Sequence, residues 1–135
     1  MSEDCIFCKI IAGKIPSYCV YQDEKTFAFL DINPLNNGHV LVIPKHHCRL
    51  THEMPEEDAV AVMKTVVKVA GAVAKATGKD YNILNNNGPL AGQEVQHVHY
   101  HIIPKDNENG LPHIWNPIAE KAPMEETLKA IQSKL

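Results

Sequence analysis

Three histidines, His97, His99 and His101, alternate with apolar or aromatic residues in the second half of the chain. If residues 97–103 form a β-strand, its two-residue period places all three imidazoles on one face. Imidazole changes protonation near neutral pH, so three such rings predict nucleophilic, acid–base or metal-binding chemistry. The plainer alternative is three surface histidines on the solvent face of an edge strand.

Two functional interpretations of these histidines compete. In the first, two or three neutral imidazoles hold a catalytic Zn²⁺ that activates water. In the second, one histidine is a nucleophile, and its neighbours orient it and bind the anion that it attacks. The preceding Gly92, Gln93 and Val95 favour the second, because glycine permits close backbone approach and successive amides can form a phosphate-binding nest.

The segments that must position these histidines include one strong helix signal. An apolar stripe from Val62 to Val73, opened by Pro55 and closed by Gly78, predicts a long helix. The remaining segments predict a single α+β domain built on an antiparallel sheet, with a C-terminal helix. The expected elements are a short helix from residue 6 that Gly13 ends, strands over 18–22, 26–31, 39–43, 81–84 and 97–103, and a terminal helix over 124–134.

Length and composition limit the class of protein. The chain has 135 residues, 44% of them hydrophobic and 21% charged, which suits one globular domain. A net charge of −3 argues against a basic nucleic-acid-binding surface. Apolar stretches are broken well before about 18 residues, so no membrane span is expected. With four cysteines and no signal peptide visible, we expect a cytoplasmic protein, with the nucleus as an alternative location.

The segment Gly92–Ile103 resembles the signature of the histidine triad (HIT) family, in which His-x-His-x-His is followed by two apolar residues. Further segments match at the family's separations, among them Gly38–Lys45 with His47, and Asn85–Gly88. Together they cover about residues 5 to 105 of a single HIT domain over 1–135, leaving 106–135 as a C-terminal extension. The resemblance implies a Hint-like fold and a two-fold homodimer with a sheet continuous across the interface, where Trp115 and the terminal helix are candidates to pack.

The resemblance also implies hydrolysis of purine nucleotide conjugates, such as phosphoramidates of AMP or GMP, at the α-phosphorus. His99 corresponds to the nucleophile that forms a covalent nucleotidyl-histidine, and His101 to the histidine that contacts the phosphate and the leaving group. His97 and His39 are expected to complete the hydrogen-bonded set. Neither a redox cofactor nor a metal is expected in the chemical step. The alternatives are a dinucleoside polyphosphate hydrolase, a nucleotide-binding regulatory or scaffold protein with incidental catalysis, and a hydrolase with a metal on the three histidines.

The nucleotide-binding residues carry over in the same way. Asp31 corresponds to the ribose-binding carboxylate, although an Asx turn with Asn33 would also explain it. Apolar residues would line a slot for the base, and for Phe29 and Ile10 core packing is an equally good explanation. The residues expected at the nucleotide are Asp31, Ile32, Phe29, Phe7, Ile10, Asn86, Gly92, Gln93 and Val95.

Position 94 departs from the family pattern. Many relatives have Ser or Thr there, beside the phosphates, whereas this chain has Glu94. In a strand, Glu94 and Val95 would face opposite ways, which would turn the carboxylate away from the anion; otherwise it would repel phosphate.

A second cluster combines Cys5-x-x-Cys8 with histidines. The pair alone is a weak signal, but some HIT relatives carry a structural zinc in which the first triad histidine is the fourth ligand. The resemblance therefore implies a structural Zn²⁺ on Cys5, Cys8, His47 and His97. His46 is the alternative to His47, and Cys48 is a weaker candidate. Cys19 is expected in the core, and His52 and His113 are expected at the surface.

Overall fold

The computed structural model describes residues 4–106 and 117–135, which contain three α-helices and five strands. Two short 3₁₀ turns, Thr51–Glu53 and Pro89–Ala91, lie in the loops. The predicted α+β class and the antiparallel sheet are confirmed. In chain order the elements are α1 (Ile6–Ile11), β1 (Cys19–Gln22), β2 (Thr26–Leu30), β3 (Val40–Pro44), α2 (Glu56–Thr77), β4 (Asp80–Leu84), β5 (Tyr100–Lys105) and α3 (Met124–Gln132).

The five strands form one sheet in the order β1-β2-β3-β5-β4, and every neighbouring pair is antiparallel. Both faces of β3 are buried, because each carries its own apolar cluster. Val40 and Val42 face the buried valines of α2, whereas Leu41 and Ile43 face α1. The sheet is therefore covered by a long helix on one face and a short helix on the other.

A row of side chains across the α1 face brings the histidines next to apolar residues. Phe29 pairs with Leu41, Leu41 with His101, and His101 with Leu84. Because cross-strand partners point to the same face, these four side chains form one continuous floor. The register of β3 and β5 thus decides what surrounds His101.

The predicted strand over 97–103 is wrong at its start, because regular pairing begins only at Tyr100 and continues to Lys105. Before that point the backbone bonds elsewhere. The N–H of Val98 donates to the carbonyl of Cys48 at 2.8 Å, and the side-chain amide of Asn85 donates to the carbonyl of His99 at 3.0 Å. These contacts replace ladder hydrogen bonds, so His97 and His99 lie on a bent segment that leads into β5.

A tight turn delivers His39 to the start of β3. Gly38 has a φ of +92°, and a Cβ there would lie 3.1 Å from Cγ2 of Thr77 and 3.3 Å from Cγ of Pro104. Only glycine combines this backbone conformation with such close approach. The side chain of Asn36 fastens the turn by donating to the carbonyl of Pro104 at 3.1 Å.

The outer side of α2 and the edge strand β4 expose apolar side chains. Val60, Met63 and Val67 are 48%, 49% and 67% exposed, and their spacing places them on one face of the helix. On β4, Tyr81 and Ile83 are 39% and 50% exposed. Within the described residues, no helix is long and apolar enough to cross a membrane.

Candidate active site

The ring of His99 has a defined tautomer. Its Nδ1 lies 2.7 Å from the backbone carbonyl of His97, and a carbonyl oxygen can only accept a hydrogen bond. Nδ1 of His99 therefore carries the proton, and Nε2 retains its lone pair. Since Asn85 holds the backbone carbonyl of His99 as well, both the ring and the main chain of this residue are fixed.

A chain of hydrogen bonds sets the tautomer of His101. The amide of Leu35 donates to Nδ1 of His39 at 3.0 Å, so the proton of His39 is on Nε2. Nε2 of His39 lies 3.0 Å from Nδ1 of His101, which must accept. The proton of His101 is consequently on Nε2, and its ring lies beside that of His99 with the centroids 4.9 Å apart.

Burial keeps these imidazoles neutral. Burial, together with a smaller effect of the neighbouring histidines, lowers the pKa of His39 to about 3 and that of His101 to about 2. Burial also lowers the pKa of His99, partly offset by its hydrogen bond to the carbonyl of His97 and by Glu94. At neutral pH the site therefore offers a neutral imidazole with an available lone pair next to a neutral imidazole N–H donor.

A cavity of about 560 Å³ opens over His99 and His101, a volume typical of small-molecule sites. Phe7 closes one side, with its ring edge-on to His99 at a centroid distance of 5.2 Å and to Phe29 at 5.4 Å. The predicted nucleotide-contacting residues that line the cavity are Phe7, Ile10, Phe29, Asp31, Ile32, Asn86, Gly92 and Val95. Ile6, Ile15, Pro16 and Ser17 also line it and were not predicted to contact the nucleotide.

The side chain of Gln93 is not among the described cavity-lining groups, although its sequence position predicted nucleotide contact. It is 3% exposed, accepts from the amide of Gly88 at 2.7 Å and donates to the carbonyl of Arg49 at 2.8 Å. This side chain therefore stabilises the loop, and a contact with phosphate would have to come from its backbone.

Asp31 combines the two roles that its sequence allowed. One carboxylate oxygen, Oδ1, accepts from the amide of Asn33 at 2.8 Å, which is the Asx turn. The residue nevertheless lines the cavity, and its Oδ2 lies 3.8 Å from Nε2 of His39. Burial raises the pKa of Asp31, and so does Glu94, whereas the hydrogen bond from the amide of Asn33 and the charge of Lys121 lower it.

Glu94 faces the cavity, which corrects the expectation that a strand would turn its carboxylate away. Residues 93–99 form no regular strand, so the two-residue alternation between Glu94 and Val95 does not hold and both line the cavity. Its charge acts on Asp31 and on His99, the two groups whose pKa values it raises.

The cysteines of α1 and two histidines meet behind the active site. Cys5 caps the helix and Cys8 lies in its first turn, so both sulfurs lie together. Nδ1 of His97 is 3.3 Å from Sγ of Cys5 and 3.2 Å from Nδ1 of His47, which in turn is 3.3 Å from Sγ of Cys8. Four such donors within 4.8 Å of one another suit tetrahedral Zn²⁺.

His97 connects this cluster to His99. Its Nε2 donates to the carbonyl of Pro44 at 2.8 Å, which leaves the Nδ1 lone pair directed at the sulfurs. The sequence suggested that the ring of His97 would join the catalytic hydrogen bonds, but its backbone carbonyl does so instead. With its ring engaged in this way, His97 does not share a metal site with His99 and His101.

The remaining cysteines and histidines lie elsewhere. Nδ1 of His46 is 2.9 Å from Oδ2 of Asp58 and 3.6 Å from Sγ of Cys48. His46 and Cys48 therefore belong to a group separate from the cluster of Cys5, Cys8, His47 and His97. Cys19 is half-buried against the α1 cluster, and His52 is exposed. His113 and Trp115 fall outside the described residues.

Sequence comparison connects this site with known proteins. The family model of the HIT domain matches residues 12–108. Adenosine 5′-monophosphoramidase HNT1 of Candida albicans is 48% identical over 117 residues, which cover 82% of this chain and 77% of that relative.

Two solved structures are similar along nearly the whole chain. A HIT-like protein of Bartonella henselae has a TM-score of 0.87 at 37% identity, with 100% of this chain and 98% of that chain covered. A Zn-bound histidine triad family protein of Mycobacterium smegmatis has a TM-score of 0.83 at 32% identity, with 97% and 92% covered. The likenesses thus span essentially the whole fold described above.

The neutral state of His39 and His101 predicts a pH dependence of stability. Below the ordinary pKa of 6.5, the unfolded chain binds protons that these rings exclude when folded. The free energy of unfolding should therefore fall as the pH falls from about 7 to about 4. Long-range ¹H–¹⁵N NMR should show both rings neutral with Nε2–H throughout this range, and His99 with Nδ1–H at pH 7. Titration of either His39 or His101 near pH 6.5 in the folded protein would contradict the assigned hydrogen bonds.

Proposed function

The chain belongs to the HIT family, and we propose that it hydrolyses purine nucleotide conjugates at the α-phosphorus through a nucleotidyl-His99 intermediate. The observation that carries this proposal is the hydrogen bond from Nδ1 of His99 to the carbonyl of His97, which directs the lone pair to Nε2 of a cavity-lining ring. A relative named adenosine 5′-monophosphoramidase supports a phosphoramidate as the substrate class.

In the first step, Nε2 of His99 attacks the α-phosphorus and the bond from phosphorus to the leaving group breaks. Positive charge then develops on the His99 ring, and the hydrogen bond to the carbonyl of His97 stabilises it. Nε2–H of His101 donates to the phosphate and the leaving atom, which takes its proton from solvent. Water then cleaves the phosphorus–nitrogen bond, releasing the nucleoside monophosphate and neutral His99.

The cavity wall supplies contacts for each part of a nucleotide. Apolar side chains of Phe7, Ile10, Phe29 and Ile32 suit the flat base, and the carboxylate of Asp31 suits the vicinal ribose hydroxyls. The loop that follows Gly92 would bind non-bridging oxygens through backbone amides. At Gly92, φ is +94° and an added Cβ would lie 3.4 Å from Nδ2 of Asn86, so glycine keeps this loop close to that amide.

Removal of the nucleophile tests the mechanism. His99→Gly should lower kcat/KM for adenosine phosphoramidates at least about a thousandfold, because no other group forms the covalent intermediate. Mass spectrometry after rapid quenching should detect nucleotidylated wild-type protein and none of the variant. His52→Ala, a change of an exposed histidine outside the cavity, should retain full activity. Undiminished hydrolysis by His99→Gly would refute the mechanism.

We further propose that Cys5, Cys8, His47 and His97 hold a structural Zn²⁺. Their four donor atoms lie within 4.8 Å of one another, and four of the pairs are 3.2 to 3.6 Å apart, which supports this proposal, as does the Zn-bound relative. When bound, the ion would connect α1 to the loop after β3, which carries His47, and to the segment that carries His97. The chemical step proposed above uses His99 and His101, and neither of them is a ligand of this ion.

Loss of one sulfur should remove the metal. Cys8→Ser is expected to purify with little zinc and to unfold at a Tm lower by at least about 5 °C, because the metal stabilises only the folded state. Elemental analysis and thermal denaturation measure the two effects. Cys19→Ser changes a cysteine outside the cluster and should keep one zinc per chain. Full zinc content in Cys8→Ser would exclude the proposed ligand set.

A two-fold dimer is proposed for the surface formed by the outer face of α2 and the edge of β4. Val60, Met63 and Val67 make an apolar stripe there, and Ile83 lies on β4, which is an edge strand of the sheet formed by the described residues. Pairing two β4 edges about a two-fold axis would bury these side chains and extend the sheet across both protomers.

A charge within this stripe should separate the protomers. Val67→Glu is expected to shift the protein from dimer to monomer in sedimentation equilibrium, because two carboxylates would be buried at a symmetric contact. Leu90→Glu makes the same chemical change at another exposed apolar residue and should leave the dimer intact. A wild-type monomer, or a dimeric Val67→Glu variant, would overturn this assignment.

A further inference from the structure

The charge of the cavity is unusual for a site that binds a phosphate. Two carboxylates, Asp31 and Glu94, line it, and among the described lining residues there is no lysine or arginine. The two lining imidazoles, His99 and His101, are buried, and Nδ1 of His101 accepts a hydrogen bond from Nε2 of His39 at 3.0 Å, which leaves the ring of His101 uncharged. Lys121 lies nearby, where its Nζ donates to the carbonyl of Ile32 at 2.7 Å and its charge lowers the pKa of Asp31, so it partly offsets that carboxylate. Among the described lining side chains, binding of the phosphate is left to N–H groups, and Glu94 adds a negative charge beside them.

This balance opposes substrates with additional negative charge. A nucleoside phosphoramidate brings one phosphate charge to the site, whereas a dinucleoside polyphosphate brings several. The carboxylate of Glu94 repels each further negative charge of the substrate near it. No lysine or arginine among the described cavity-lining residues offsets this repulsion. A positive charge on the leaving group would instead be attracted.

Glu94 is the carboxylate placed to act on the leaving group. Asp31 is engaged in its turn with Asn33 and is assigned to the ribose. Glu94 is exposed at the cavity wall, five residues before the nucleophile, and acts electrostatically on both His99 and Asp31. The reacting phosphorus must approach His99, so the group attached to it lies within the field of the Glu94 carboxylate.

We propose that Glu94 is a specificity-determining residue that selects conjugates whose leaving amine carries a second, protonated amino group. Such amines are preferred over uncharged amines of the same length, and polyphosphate leaving groups are disfavoured. This inference rests on the proposed function, because it assigns the leaving-group class of that reaction. Glu94 takes no part in bond making or breaking.

Two adenosine phosphoramidates distinguish the charge effect from shape, one made from propane-1,3-diamine and one from n-propylamine. For each protein, kcat/KM for the cationic amidate is divided by kcat/KM for the neutral amidate. Comparing this ratio between the wild type and Glu94→Gln cancels the different intrinsic reactivity of the two amines. We expect the ratio to fall about tenfold or more in Glu94→Gln, and the wild-type preference to shrink with added salt. Glu24→Gln removes an exposed carboxylate of the β1–β2 loop outside the cavity and should keep the wild-type ratio.

Binding measurements separate this inference from the proposed function. Dissociation constants of both amidates are measured by calorimetry with His99→Gly and with His99→Gly/Glu94→Gln, neither of which needs turnover. If the cationic amidate binds more tightly than the neutral one, and this difference disappears without Glu94, the charge selection is supported. Failure of the wild type to hydrolyse either compound would refute the proposed function alone. Equal ratios with and without Glu94, in binding and in hydrolysis, would overturn the inference and leave the His99 mechanism standing.

Discussion

The hydrogen bond from Nδ1 of His99 to the carbonyl of His97 is the interaction on which the site depends. It selects the tautomer with a lone pair on Nε2, and it requires the backbone at His97 to stay in place. The ring of His97 secures that backbone at both nitrogens, through the carbonyl of Pro44 and the group of Cys5, Cys8 and His47. His99 is thus held by a residue whose side chain lies outside the cavity. His97 thus contacts Cys5, Cys8 and His47 with its ring and His99 with its backbone carbonyl.

A similar division of labour holds on the other side of His99. The amide of Leu35 donates to His39, and His39 donates to His101. The Nε2–H of His101 at the cavity therefore depends on the backbone amide of Leu35, through the ring of His39. Burial contributes because it keeps both rings neutral; a cationic His39 could not accept from Leu35. Low dielectric surroundings and specific hydrogen bonds therefore act together, as expected of a preorganised polar site.

The proposed recognition of a phosphate at this cavity would not require cationic side chains in its wall. Neutral imidazoles and backbone amides can bind an anion, and a surface with net negative charge is compatible with that task. The absence of lysine and arginine from the described wall makes the site sensitive to the total charge of the substrate. Glu94 increases this sensitivity because it adds a negative charge at the cavity wall.

The sequence by itself determined the order of elements, the family, the row of histidines leading into β5 and the residue types of the Cys5, Cys8, His47 and His97 cluster. The order of elements and the row of histidines follow from local periodicity and side-chain chemistry, whereas the family and the four-residue cluster follow from the resemblance to the HIT signature. The tertiary structure alone decided that His97 acts through its carbonyl, that the side chain of Gln93 stabilises a loop, and that Glu94 faces the cavity. The reason is physical: the deciding partners are backbone groups of Pro44, Leu35, Arg49 and Cys48, and every residue type carries such groups. Only the fold shows which carbonyl or amide lies within hydrogen-bonding distance, and a single bend before Tyr100 was enough to end the strand alternation.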